Sequence, residues 1–210
     1  MLIESVTPAN TGWVEATLDK DVLDRLKGYM LEATKDVRDK LAGNISREFE
    51  MPEGAKQYLW ETCLSPMVHQ HVESFGKTSN ESSSYEKMEL AMDSLWVNYQ
   101  KQGEVNPLHR HSGVYSFAIW MNIPTDWREQ HALPEVQSSA APVASNFEFS
   151  YTTILGDITQ FSYFLDRGME GKVLLFPAKL SHQVYPFFNC KEERVSIAGN
   201  IALIKKVGLK

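Results

Sequence analysis

A change of character at about residue 88 restricts the fold of this chain more than any other feature. From there on, short segments rich in aromatic and β-branched residues follow one another, separated by Gly, Pro or Asp. Candidate strands are 88–99 (MELAMDSLWVNY), 114–123 (VYSFAIWMNI), 147–155 (FEFSYTTIL), 159–165 (TQFSYFL), 172–176 (KVLLF), 182–188 and 194–204 (RVSIAGNIALI). Helical patterns do not alternate with them, so the spacing points to an antiparallel sandwich or jelly roll rather than a parallel sheet.

The part before residue 88 is helical in flavour. Over 19–42, Val22, Leu23, Leu26, Met30, Leu31, Ala33, Val37 and Leu41 recur mostly at three- and four-residue steps, and Gly43-Asn44 supplies a stop. A second helix is expected over about 54–75, kinked or divided at Pro66. The polar stretch 76–87 reads as a loop. A second long connection, 124–146 (PTDWREQHALPEVQSSAAPVASN), interrupts the strand region and has the length of a lid or binding loop. The expected organisation is a single domain over 1–210, with a helical part (1–87) and a β core (88–210).

Composition narrows the partners. The net charge of −6 argues against a nucleic-acid backbone as the main partner, although a local basic groove is compatible with it. A run of about 18 apolar residues, as a membrane span needs, is missing from the sequence. The first residues lack the basic and apolar regions of a signal peptide. Cys63 and Cys190 stand alone, without CxxC spacing, and read as free thiols. A cytoplasmic location is expected.

The chemistry concentrates in the histidines. His69 and His71 are two apart in a helical stretch, where such side chains diverge. His109 and His111 have the same spacing but precede a strand, where residues two apart share a face. His182 opens a later strand after the run GKVLLFPAKLS, and an antiparallel fold can return it beside His109 and His111. Arg194 and Ser196 share a face of the last strand, and an arginine there must end in a polar pocket or reach water.

This array of WVNYQKQGEVNPLHRHSGVYSFAIWMNIP, GKVLLFPAKLSHQVYPF and ERVSIAGNIAL resembles the 2-oxoglutarate- and iron(II)-dependent oxygenases, in particular small oxygenases of marine phages and bacteria. The resemblance covers about 94–204. It implies a mainly β (α+β) chain with a double-stranded β-helix and the helical segment packed on it. It further implies Fe(II) and 2-oxoglutarate as cofactors, oxygenation as the reaction, and no catalytic residues beyond the metal centre. His109 and His182 would then be metal ligands, and Arg194 with Ser196 would hold the keto acid's far carboxylate. Asn98 and Asn122 are candidates for bonding the keto acid. Trp120, Tyr115, Phe117 and Tyr163 are candidates for lining the barrel. Trp127, Arg128 and His131 on the long loop are expected to meet the substrate, a small molecule or a protein side chain.

One residue departs from the family pattern, which places an acid where this chain has His111. Three repairs are open: a three-histidine site of His109, His111 and His182, which is preferred; an arrangement with His111 as first histidine and Gly113 at the acid position, as in halogenases; or a carboxylate from Glu104, Glu148 or Asp157. Hydroxylation and halogenation thus both remain open. Two rival readings share the fold. A cupin metalloenzyme without 2-oxoglutarate lacks the glutamate its first motif needs after the HxH pair, and a non-enzymatic jelly-roll module would leave the histidines incidental.

Overall fold

The computed structural model describes residue 4, residues 10–76 and residues 88–205. Apart from Gly76, the expected 76–87 loop therefore lies outside the described residues. Along the chain run β1 (Val14–Thr17), α1 (Lys20–Glu32), β2 (Lys35–Asp36), β3 (Glu48–Glu50), α2 (Glu53–Leu59), a π-helical turn (Trp60–Leu64) and α3 (Ser65–Phe75). The β region follows: β4 (Met88–Gln100), β5 (Asn106–His109), β6 (Tyr115–Asn122), β7 (Phe147–Thr152), β8 (Ile158–Tyr163), β9 (Lys172–Pro177), β10 (Ser181–Val184) and β11 (Arg194–Lys205), with α4 (Trp127–His131) between β6 and β7.

Two antiparallel sheets face each other as a jelly roll. The larger has the order β1-β9-β6-β11-β4-β3-β2 and the smaller β5-β10-β7-β8. Because β-strands alternate their side chains, β4, β11 and β6 send one set of residues outward and one inward. The outward set includes Val97, Ile197 and Ile119, which pack with Leu26 of α1, Ala55 and Leu59 of α2 and Met67 and Val68 of α3. Fully burying each such side chain contributes about 1.5–3 kcal/mol. This apolar layer therefore holds the helices on the sheet; the Lys27–Asp24 pair of α1 is solvated, and the Lys56–Glu53 pair of α2 has an exposed glutamate, so both add little. Between the sheets Trp120, Phe147, Phe149, Tyr163, Leu165, Leu174 and Phe176 form a second, aromatic core. At Gly199 a side chain would not fit: its Cβ would stand 2.5 Å from the Ser94 carbonyl oxygen and 2.7 Å from the Phe117 ring.

Every candidate strand forms, with ends shifted by a few residues. The helical reading needs two corrections. The first helix ends at Glu32, ten residues early, because the chain then pairs with β3: Lys35 lies opposite Glu50, and the Val37 N–H donates to Glu48 O. Tertiary pairing overrides the helical periodicity there, and Leu31, which fitted the expected stripe, is exposed. Pro66 does divide the second helix. It has no N–H to return to the previous turn, and the strain is taken up just ahead of it, where the Ser65 N–H reaches back five residues to Trp60 O. The strands β1, β2, β3 and β5 span only two to four residues each, too few for even the alternation of β1 to stand out as a pattern.

Candidate metal centre

The HxH pair is not two steps along one strand, as its spacing suggests. His109 is the last residue of β5 in the small sheet, whereas His111 lies in the turn that crosses to β6 in the large one. The turn is pinned where the His111 N–H donates to Ala178 O and the Val114 N–H to Ile201 O. β10 returns antiparallel to β5 with His182 directly opposite His109. The three imidazoles thus arrive from two neighbouring strands and a crossover, and their ligand atoms lie within 4.8 Å of one another. Nitrogens about 2.1 Å from one ion can be no more than about 4.2 Å apart, so modest ring rotations suffice for coordination.

The local bonding prepares these rings for a metal. His109 Nδ1 donates to Pro107 O (2.7 Å) and His182 Nδ1 to Leu180 O (3.0 Å), in the tautomer that leaves Nε2 with a lone pair. Burial pushes His182 down to about 3 and His111 to about 4, with His109 adding to both, and burial lowers His109 as well. All three are therefore neutral at physiological pH, and protons do not compete with a metal ion.

The carboxylates weighed as ligands lie elsewhere. Glu148 pairs across the sheet with Gln183, one residue out of phase with His182, and points away from the barrel interior. There it accepts hydrogen bonds from Ser162 and Gln183. Glu104 accepts from the backbone N–H groups of Ser46 and Lys101 at the surface, and Asp157 is exposed in the β7–β8 turn. Gly113 adopts a left-handed φ of +98°, and a Cβ there would stand 2.8 Å from Ile201 O, so its near neighbours are β11 atoms rather than the histidines.

Arg194 occupies the same cavity as the histidines, a narrow space of about 50 Å³ also lined by Asn98, Ser196, Asn106, Phe117 and Trp120. It is only 2% exposed. Its donors are taken by neutral acceptors: Gln100 Oε1 (2.8 and 3.0 Å), Tyr185 O (2.8 Å), Ser145 O (2.8 Å) and, loosely, Ser145 Oγ (3.3 Å). Burial lowers its pKa to about 9, so it remains a cation. No carboxylate pairs with it among the described residues. A buried charge without a counter-charge is costly, and an anionic ligand in this cavity would supply one. Nearby, Asn98 Nδ2 donates to Ser196 Oγ (3.2 Å), while Asn98 Oδ1 and Asn106 Oδ1 are buried without a hydrogen-bond partner. Three neutral imidazoles and a guanidinium without a counter-charge fit an iron ion with a dicarboxylic keto acid.

Other expected site residues are not brought to the cavity. Asn122 pairs with Val195, while Trp120 pairs with Ser196. The extra residue, Met121, is a bulge that turns Asn122 aside to donate to Glu193 O. Trp127, Arg128 and His131 lie in α4 near the start of β11. Trp127 packs on Phe164, Arg128 pairs with Asp126 and Asp166, and His131 bonds Asn146. What the 124–146 loop brings to Arg194 is its far end, where Ser145 sits at a φ of +69° and accepts from the guanidinium. Of the barrel-lining candidates, Trp120 and Phe117 face the cavity, Tyr163 belongs to the aromatic core, and Tyr115 bonds His71 on the helix side. Gln100, Asn106 and Ser145 were missed. Gln100 was findable, since it falls opposite Arg194 once β4 and β11 are paired; Ser145, in an irregular segment, carried no signal.

Glu48 is a further buried acid, on β3 opposite Asn98, with Oε2 unpartnered. Burial, then the charges of Asp36 and Glu104, raise it from an ordinary 4.5 to about 7. Since the folded state holds this proton more tightly than the unfolded one, the contribution is full below pH 4.5 and is lost as pH rises through 7. Allowing for partial solvent screening, the loss is about 2 kcal/mol. Urea unfolding at pH 5 and pH 8 should therefore show Glu48→Gln gaining about that much on the wild type at the higher pH; parallel profiles would reject a buried, protonated Glu48.

A family model described as "Putative 2OG-Fe(II) oxygenase" matches residues 94–200. Curated protein sequences give no match. Among solved structures, a 2OG-Fe(II) oxygenase family oxidoreductase from Burkholderia pseudomallei aligns with a TM-score of 0.54 at 11% identity, covering 91% of this chain and 85% of its own. HygX from Streptomyces hygroscopicus, solved with nickel, 2-oxoglutarate and hygromycin B, aligns at 0.55 and 10% identity over 91% and 83%. A Trichoplax adhaerens prolyl hydroxylase in complex with a hypoxia inducible factor peptide fragment aligns at 0.53 and 12% identity over 93% and 84%. These likenesses concern the fold. No helix among the described residues is long and apolar enough to cross a membrane.

Proposed function

The chain belongs to the 2-oxoglutarate- and iron(II)-dependent oxygenases, and from that premise we propose that it is a hydroxylase acting on a small molecule or a side chain, with His109, His111 and His182 holding the metal. The observation that carries this reading is the convergence, in one cavity, of three neutral imidazoles and a buried cation without a counter-charge. When bound, iron(II) and 2-oxoglutarate supply the activation of dioxygen, coupled to decarboxylation of the keto acid to succinate. The protein's part is to hold, orient and keep dry.

Each role follows from the bonding described above. The Pro107 and Leu180 carbonyls fix two imidazoles in the ligating tautomer. Arg194 would hold the far carboxylate of the keto acid, whose charge would offset that of the guanidinium. Ser196, already accepting from Asn98, has its own proton to donate to that carboxylate. Trp120, Phe147 and Phe176 exclude water from the histidine side of the cavity. At about 50 Å³ this space holds one or two waters, so the lining must shift outward to admit the keto acid. Asn122, Trp127, Arg128 and His131 do not line this cavity. The helical residues share a core with the large sheet, so we treat the chain as one functional domain.

An anaerobic titration tests the reading. Iron(II) followed by 2-oxoglutarate should give a visible charge-transfer band that needs both components, and at one hundred times its dissociation constant the keto acid should stabilise the protein by about 2.7 kcal/mol. Metal binding without any effect of the keto acid would overturn the assignment of Arg194.

A further inference from the structure

A second cavity of about 380 Å³ opens beside the first and shares Trp96, His109 and His111 with it. Leu95, Trp96, Val37 and Leu41 give it an apolar lining, and Ser94 and Asn200, bonded to each other at 3.0 Å, add a polar strip. Its charges are lopsided. Lys40 stands in the segment between β2 and β3, and Arg110 projects from the crossover between the two histidines; neither has an ion-pair partner among the described residues. Among the described residues, Glu50 is the only acid lining the cleft, and it is bound by Lys35. Lys35 is bound to Glu50 and Lys40 also acts on its charge, so Lys40 and Arg110 leave the cleft with an excess of positive charge in a chain whose net charge is −6.

We propose that this cleft is the substrate site and that its ligand is a small molecule with an apolar body and an anionic group, a carboxylate or a phosphate. The proposal rests on the function given above and names the substrate class for it. The volume lies at the low end of small-ligand pockets, which suits a molecule of amino-acid size. The apolar body packs on Trp96 and Leu41 beside His111, while the anion lies between the guanidinium fork of Arg110 and the ammonium of Lys40. Because Arg110 lies between His109 and His111 in the chain, the segment that positions two imidazoles also positions the anion's partner. A bound anion would therefore fix which part of the substrate faces the metal.

Calorimetry on the protein loaded with iron(II) and saturating 2-oxoglutarate, without oxygen, tests this with three probes. They are N-acetyl-L-leucine, its neutral amide, and isoamyl phosphate. One or both acids should bind at least about fivefold more tightly than the amide, as about 1 kcal/mol from a partly exposed charge pair requires; which acid binds better separates carboxylate from phosphate. Arg110→Gln and Lys40→Gln should each remove most of that preference while leaving 2-oxoglutarate affinity intact, which also shows that the variants fold. Equal binding of acid and amide, no binding of either acid, or a preference that survives both substitutions would overturn the proposal. Acid preference that persists in metal-free protein, with no response to 2-oxoglutarate, would instead overturn the proposed function and leave the cleft standing.

Discussion

His182→Ala should lower iron(II) affinity by more than about 100-fold, exceeding the 10- to 100-fold cost of losing an outer-shell partner of a metal ligand. The side chain is 5% exposed and ringed by Phe147, Phe149 and Phe176, so no water-exposed group stands ready to replace it. The truncation also leaves a void in the aromatic core, so near-ultraviolet circular dichroism must accompany the anaerobic binding measurement. The fold should survive, because the Phe147, Phe149 and Trp120 contacts do not pass through the imidazole. Two companion variants address the third ligand. His111→Ala should behave like His182→Ala, and His111→Asp should restore binding, since two histidines and a carboxylate are an accepted iron set. Glu148→Gln should leave affinity unchanged; a large loss there would return the acid to the ligand set and remove His111.

The fold and the site are legible in the sequence where the chain is regular and silent where it is irregular. β4 and β11 were legible because both are long and alternate, and their pairing brings Arg194, Ser196, Asn98 and Gln100 onto one inner face. His182 opposite His109 was also foreseeable, as an antiparallel return. By contrast, Asn122 was misplaced by the Met121 bulge, which no periodicity announces. The 124–146 loop begins where β6 leaves the Val195 end of β11 and closes on Arg194 through Ser145. The cleft that does border the histidines is walled by residues 37–42, a segment that reads as helix by its apolar spacing. The helix was broken there by β3, three residues long and silent as a pattern. Local signals identified the chemistry; long-range pairing decided what stands around it.

Arg194→Lys should keep the charge and lose the fork, which makes it a sharper test of the anchor than removal. Alanine would orphan Gln100 Oε1, Ser145 O and Tyr185 O together, and buried unsatisfied acceptors cost about 1–3 kcal/mol each. Such a variant could fail by unfolding. With lysine, three rotatable donors still reach some of these acceptors, but not with the geometry of a planar guanidinium. The expected result is a loss of about 1.5–3 kcal/mol in 2-oxoglutarate binding, roughly ten- to 150-fold. The decisive comparison is with 2-oxobutyrate, which keeps the keto acid but has no far carboxylate. Wild type should prefer 2-oxoglutarate strongly, and in Arg194→Lys the two acids should converge, because the difference between them is the contact that Arg194 makes. If the preference stays intact, the carboxylate is bound elsewhere, and the five hydrogen bonds of Arg194 serve only to close the Ser145 end of the barrel.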